Sequence, residues 1–268
     1  MTIQPVDLHF KRYDAPQSEA SFRPPLVILH GLLGSGGNWH TLASKAFAGR
    51  APVYVVDLRN HGRSPHDDRF DYPAMVADLA HFFDARGLSD AAVLGHSLGG
   101  KVAMHFALEH ADRVERLVVV DIAPRAYPPR HRPIFDALRS VDFGRVEDRS
   151  DVDAQLAETI SSRPVRQFLM KNLNYDSETG TYSWQPAVDV IFDNYDRINE
   201  AVENGRTYDG PTLFVRGGAS DYVSSEDEAD VRRLFPRAET ETIAGAGHWV
   251  HADGPDAFAD IVLEFLDR

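Results

Sequence analysis

The chain has 268 residues, 43% of them hydrophobic and 26% charged, which suits one single-core domain or a core with one sizeable insertion and excludes a disordered chain. Its formal net charge of −13 argues against nucleic acid as a partner, because neutralising phosphates needs clustered cations. Without cysteine there is no disulfide framework, no thiolate zinc site and no thiol nucleophile, so any nucleophile is an oxygen or an amine.

In chain order, the N-terminal residues alternate polar and apolar, with no charged start followed by an apolar block, and no apolar run approaches 18 residues. The expectation is a cytoplasmic protein with no membrane insertion. Residues 6–13 and 21–22 read as an antiparallel edge. The runs LVIL (26–29), VYVV (53–56), AAVL (91–94), LVVV (117–120) and TLFV (212–215) are short and β-branched, as buried parallel strands are. Helical patterns at 72–86 and 98–110 separate several of them, the alternation of an α/β sheet. Roughly 90 residues then intervene before TLFV, too many for one crossover. Helical stretches are expected there at 134–140, 151–161, 164–172 and 186–204, which predicts a helical cap over 122–210 inserted into a core of 1–121 and 211–268. A helix near 226–235, a strand near 239–243 and a helix over 255–266 complete the core.

Gly95-His96-Ser97-Leu98-Gly99 lies between AAVL and a helix beginning LGGKVAMHFAL, the strand–turn–helix setting of a nucleophile elbow. Such a turn strains the serine backbone and lifts its hydroxyl above the sheet, and side chains at Gly95 and Gly99 would collide with neighbouring chain. The free N–H groups at the helix start favour negative charge there. A serine hydroxyl needs a base within hydrogen-bond reach. Of the twelve histidines, His248, in the loop between the last strand and the last helix, fits best. His251 is the competitor, and His96 projects away from the neighbouring nucleophile. An acid must orient the imidazole, and two aspartates qualify: Asp121 ends LVVV, and Asp221 follows TLFV. The backbone N–H of Leu98 and that of Leu32, in the His30-Gly31-Leu32-Leu33-Gly34 loop after LVIL, are the expected oxyanion donors. Phe168, Met170, Trp184, Ile191 and Phe192 put large apolar groups in the insertion and are candidates for a substrate pocket, although apolar residues at helical spacing usually pack as core. The segment DLRNHGRS (57–64) reads as a structured turn without a catalytic role. HExxH and other metal-ligand spacings are absent, and the chemistry needs no metal or organic cofactor.

HGLLGSGGNW (30–39), DLRNHGRS, GHSLGGKVAM (95–104), VVVDIAP (118–124), LFVRGGASDYV (213–223) and AGAGHWVHAD (244–253) together resemble the α/β-hydrolase superfamily and, within it, the YbfF-type carboxylesterases and their mitochondrial relatives. The resemblance implies hydrolysis of carboxylic esters of short acids, and of thioesters, with a small-molecule ester as partner; it says nothing of oligomeric state. It carries Ser97 and His248 over directly. It pulls two ways on the acid: the general superfamily position is Asp221, whereas the YbfF-type pattern matches Asp121, assisted by Ser220. Cofactor-free haloperoxidases, carbon–carbon bond hydrolases, the menaquinone-pathway lyase and low-turnover ligand receptors share the serine and stay open as alternatives.

Overall fold

The β-branched runs form strands that alternate their side chains between two cores. In the computed structural model, which describes residues 3–14 and 24–268, the first half of the chain forms β1 (Phe10–Tyr13), β2 (Leu26–Leu29), the short α1 (His40–Leu42), β3 (Val53–Val56), α2 (Tyr72–Arg86), β4 (Ala91–His96), α3 (Leu98–Glu109) and β5 (Val114–Val120). There follow α4 (Arg132–Arg139), α5 (Arg149–Ala157), α6 (Arg163–Leu169), β6 (Leu173–Asp176), β7 (Thr181–Trp184) and α7 (Val188–Asp193). The chain then re-enters the main sheet with β8 (Thr212–Gly217), α8 (Glu228–Leu234), β9 (Ala238–Ile243), α9 (Val250–Asp253) and α10 (Pro255–Asp267). The sheet has seven strands in the order β1-β3-β2-β4-β5-β8-β9, parallel throughout except for β1. This is the expected α/β-hydrolase fold. Val27, Leu29, Val93 and Val119 face the core under α2 and α3, whereas Leu26, Ile28, Leu94 and Val118 face the one under α10 and Trp39. Burial on both faces is why these strands read as unbroken apolar runs.

The antiparallel edge is real, but β1 pairs with β3. Its expected partner, residues 21–22, lies outside the described residues. Between β5 and β8 the structure departs from an all-helical expectation. Residues 173–184 form a hairpin whose turn is closed by Asp176, which accepts the Gly180 N–H at its carbonyl (2.8 Å) and the Glu178 N–H at its carboxyl (2.8 Å). The stretch expected to be helical over 186–204 is helical only over Val188–Asp193, with one further turn at Arg197–Asn199. The inserted segment seats on the core through polar contacts: Asn172 Nδ2 donates to the Leu33 carbonyl (2.6 Å), Ala187 N–H to the Asn60 carbonyl (2.9 Å) and the Tyr72 hydroxyl to the Ile198 carbonyl (2.5 Å). No helix among the described residues is long and apolar enough to cross a membrane.

One buried ion pair ties the loop after β3 to α2. The Arg59 side chain is fully buried and donates through Nε (2.6 Å) and Nη2 (2.7 Å) to the two oxygens of Asp78, which also accepts the Val6 N–H (2.7 Å). Breaking one side of such a pair strands the other charge. Arg59→Met should therefore cost about 3–5 kcal/mol in a urea titration, and Arg59→Met/Asp78→Leu should recover part of that. A single variant within about 1 kcal/mol of the parent would contradict it.

Candidate active site

The turn between β4 and α3 holds Ser97 at φ 53°, ψ −116°, a conformation that side chains rarely adopt. It is tolerated because the flanking chain packs backbone to backbone: a Cβ on Gly95 would lie 2.1 Å from the Gly99 carbonyl oxygen, and one on Gly99 would lie 2.5 Å from that of Leu29. The Ser97 N–H donates to the Val120 carbonyl (3.0 Å), which sets the turn beside the end of β5. Neither the Leu98 N–H nor the Leu32 N–H has a hydrogen-bond partner among the described residues. The Leu32 loop is held by two buried histidines. His30 donates from Nδ1 to the Gly31 carbonyl (2.8 Å) and accepts the Leu58 N–H at Nε2 (3.0 Å). His61 donates from Nδ1 to the Arg59 carbonyl (3.0 Å) and accepts the Leu33 N–H at Nε2 (3.1 Å). DLRNHGRS is thus the turn that the Leu32 loop leans on.

Asp121, 1% exposed, sits one residue past β5 at φ 48°. Three donors converge on it: the Gly217 N–H on Oδ1 (2.9 Å), and the Ser220 hydroxyl (2.5 Å) and His248 Nδ1 (2.7 Å) on Oδ2. Asp221 is elsewhere. Its side chain is 71% exposed and paired with Arg130 (2.5 Å). The two aspartates left open by the sequence therefore part company: Asp121 meets the imidazole, whereas Asp221 turns to solvent. Ser220, the serine that the YbfF-type pattern puts beside Asp121, donates its hydroxyl to that carboxyl. His248 is fixed from two further sides. The Tyr222 ring stacks on it (3.8 Å between centroids, 18° between planes), and His96 Nε2 donates to its carbonyl (2.9 Å). His251, on α9, stacks on Trp39 (4.3 Å) and is not among the groups that hydrogen-bond the Asp121 carboxyl.

Ser97 and His248 open on one cavity of about 590 Å³, which also takes in Leu32, Val165, Phe168 and Trp249. Ser97 also opens on a much smaller cavity of about 40 Å³, lined by Leu98, Lys101, Ile122, Tyr127 and Ile198. Of the five apolar residues proposed for the pocket, only Phe168 is in either wall. Met170 and Ile191 are buried in the core that continues from α2 and α3 into the insertion, Phe192 packs edge-on against Phe135, and Trp184 packs on Phe143 and donates to the Leu138 carbonyl. Their periodicity reflects packing of the inserted helices on one another. Tyr222, which presses on His248, and His131, which bonds Tyr195 (2.7 Å) and Tyr222 (3.2 Å), went unnoticed in the sequence because nothing local announces their neighbours. Among the described residues, no group of three or more His, Asp or Glu converges as a metal site would.

A model of the α/β-hydrolase fold matches residues 24–255 of the chain. The chain belongs to the α/β-hydrolase family. The sn-1-specific diacylglycerol lipase ABHD11 of Xenopus laevis is 40% identical to this hydrolase over 98% of the chain and 84% of its own length. Esterase YbfF of Escherichia coli (strain K12) is 38% identical over 91% of the chain and 93% of its own. Among solved structures, one titled "Marine microorganism esterase" superimposes with a TM-score of 0.91 at 37% identity, covering 97% of this chain and 99% of that one. Within its family this hydrolase is of the esterase and lipase type.

Burial makes several histidines hard to protonate. Desolvation pushes His61 and His251 down to about 3 and His105 and His131 down to about 4, and it lowers His96 and His30 as well. At pH 5 His61, His105, His131 and His251 are neutral in the folded chain but charged in the unfolded one, where histidine titrates near 6.5. Unfolding then takes up protons, so stability should fall as pH drops from about 6.5 toward 4, by about 1.4 kcal/mol per pH unit for each proton taken up. His105, stacked on Tyr72 with Nε2 unpaired among the described residues, is remote from Asp121 and suits a test. His105→Phe should flatten the dependence of the unfolding free energy on pH by about one proton. Stability unchanged between pH 7 and pH 5 in the parent chain would refute the account.

Proposed function

We propose that this hydrolase is a serine esterase, with Ser97 as nucleophile, His248 as base and Asp121 as the acid of the triad. The observation that carries the reading is the 2.7 Å contact of His248 Nδ1 with the buried Asp121 carboxyl, made by an imidazole that shares a cavity with the strained Ser97. Because Nδ1–H donates to Asp121, the neutral ring has its Nε2 lone pair free to accept the serine proton. Ser97 Oγ attacks the ester carbonyl as that proton passes to His248. The tetrahedral oxyanion is met by the N–H groups of Leu32 and Leu98, both without another partner among the described residues. The imidazolium then protonates the departing alcohol, and water, deprotonated by the same imidazole, hydrolyses the acyl-enzyme. Asp121 stabilises the imidazolium in both steps. Ser220 and the Gly217 N–H hold the carboxyl in place, and the Tyr222 ring, stacked on the imidazole, supports it further as its charge rises.

Residues 122–210 act in this reading as a cap, since α4 and α6 supply Ile134, Val165 and Phe168 to the larger cavity. The substrates are carboxylic esters of short acids, with thioesters of the same acids as a second class. These follow from the YbfF-type motifs and from the small cavity behind Ser97.

A fluorophosphonate probe and a series of p-nitrophenyl esters test the assignment. Ser97→Ala should lose labelling and several powers of ten in kcat with the fold intact. Asp121→Asn should cut kcat by on the order of 10⁴, whereas Asp221→Asn should leave it within about twofold, as loss of an exposed ion pair would. Ser220→Ala, which removes one hydrogen bond to the carboxyl, should cost roughly tenfold. Abolition of turnover by Asp221→Asn with Asp121→Asn near the parent rate would move the acid, and labelling of Ser97 with no ester hydrolysed would favour a receptor or a lyase.

A further inference from the structure

The two cavities that meet at Ser97 are unequal, and the chemistry of acyl transfer tells them apart. When the tetrahedral intermediate collapses, the leaving oxygen takes its proton from the imidazolium and so lies against His248. The acyl group, held through the oxyanion donors, lies away from it. His248 is in the wall of the larger cavity and not of the smaller, whereas Leu98 is in the wall of the smaller and not of the larger. Leu32, His131 and Tyr222 belong to both walls and form the divide.

We infer that the acyl group of the substrate binds in the small cavity behind Ser97 and the alcohol in the large apolar one, so that this hydrolase selects esters of short acids with bulky apolar alcohols. The inference rests on the esterase reading above and names its substrate class. The small cavity leaves about 40 Å³ open to the centres of water-sized groups, enough for about three such groups at 10–15 Å³ each, which is an acetyl to butyryl chain. Its walls are braced against widening. The Tyr72 hydroxyl is bonded to the Ile198 carbonyl (2.5 Å), and the Tyr127 hydroxyl donates to the Tyr222 carbonyl (2.5 Å) and accepts the Ala123 N–H (2.8 Å). Lys101 closes the floor with its ammonium engaged by the carbonyls of Arg125 (2.9 Å) and Glu200. The large cavity, about 590 Å³, is walled on the cap side by Ile134, Pro164, Val165 and Phe168, with Phe168 packed on Trp249 (5.1 Å between centroids). An apolar alcohol gains there with each buried methylene.

Nonyl acetate and methyl decanoate have the same atoms and differ only in which side of the ester carries the long chain, so their ratio of kcat/KM reads the assignment directly. Nonyl acetate should be the better substrate by at least 100-fold, and alkyl acetates should improve by about threefold per methylene from ethyl to hexyl. Ile198→Ala, which opens the small cavity, should raise the rate on methyl decanoate and leave the profile of alkyl acetates unchanged. Phe168→Ala should alter the alkyl acetate profile and leave acyl-length preference unchanged. Equal rates on the two isomers, a preference for methyl decanoate, or the two variants acting on the opposite sides would overturn the assignment alone. Failure to hydrolyse any ester, with Ser97 unlabelled by fluorophosphonate, overturns the esterase reading and this inference with it.

Discussion

Backbone packed directly on backbone at the start of α3 is the constraint on which the site depends. Gly95, Gly99 and Gly100 let the helix press on β2, β4 and the chain just past β5, with a Cβ on Gly100 falling 2.6 Å from the Ile122 side chain. That closeness forces the tight turn at position 97, and the turn leaves the Leu98 N–H without a partner among the described residues. Larger residues would push α3 off the sheet and relax the turn. The strain at Ser97 is thus sustained by packing on every side of it.

Around this turn, neutral histidines act as struts. His30 and His61 each donate through one ring nitrogen and accept a backbone N–H at the other, which only the neutral imidazole can do. Between them they hold the loop carrying Leu32. The same loop is braced by Asp57, whose carboxyl accepts the N–H groups of Gly36 (2.6 Å) and Arg63 (2.9 Å). A Cβ on Gly62 would fall 2.3 Å from that carboxyl, so the glycine of DLRNHGRS is demanded by the same contact. His96 joins the set by tying the backbone of His248.

The inserted segment does two separate jobs. Its residues Phe135, Ile191, Tyr195 and neighbours continue the core under α2 and α3 and keep α4 and α7 together. Its edge, from α4 and α6, reaches over Ser97. Aromatic and apolar residues serve both, and the divide between the two cavities is made by polar tips, with His131 bonded to Tyr195 and Tyr222. Side chains held in this way set the size of both cavities.

The fold and the strand–turn–helix around Ser97 were legible in the sequence because both are local: unbroken β-branched runs, helical periods between them, and glycines at fixed offsets from one serine. The placement of His248 in the loop before the last helices was legible for the same reason. The choice between Asp121 and Asp221 was not, since each follows a core strand and no short-range pattern separates them. Contacts across the sheet separate the two: Asp121 is 127 residues from His248 in sequence and 2.7 Å from it in space, whereas Asp221 pairs with Arg130. The hairpin of β6 and β7 falls between the helical stretches expected at 164–172 and 186–204, in residues for which the pattern announced no element. The cavity walls were hidden too, because an apolar residue on a helix has one sequence signature whether it faces another helix or an empty space. Only the packing of the insertion on the core separates Phe168, at the cavity, from Ile191, sealed inside.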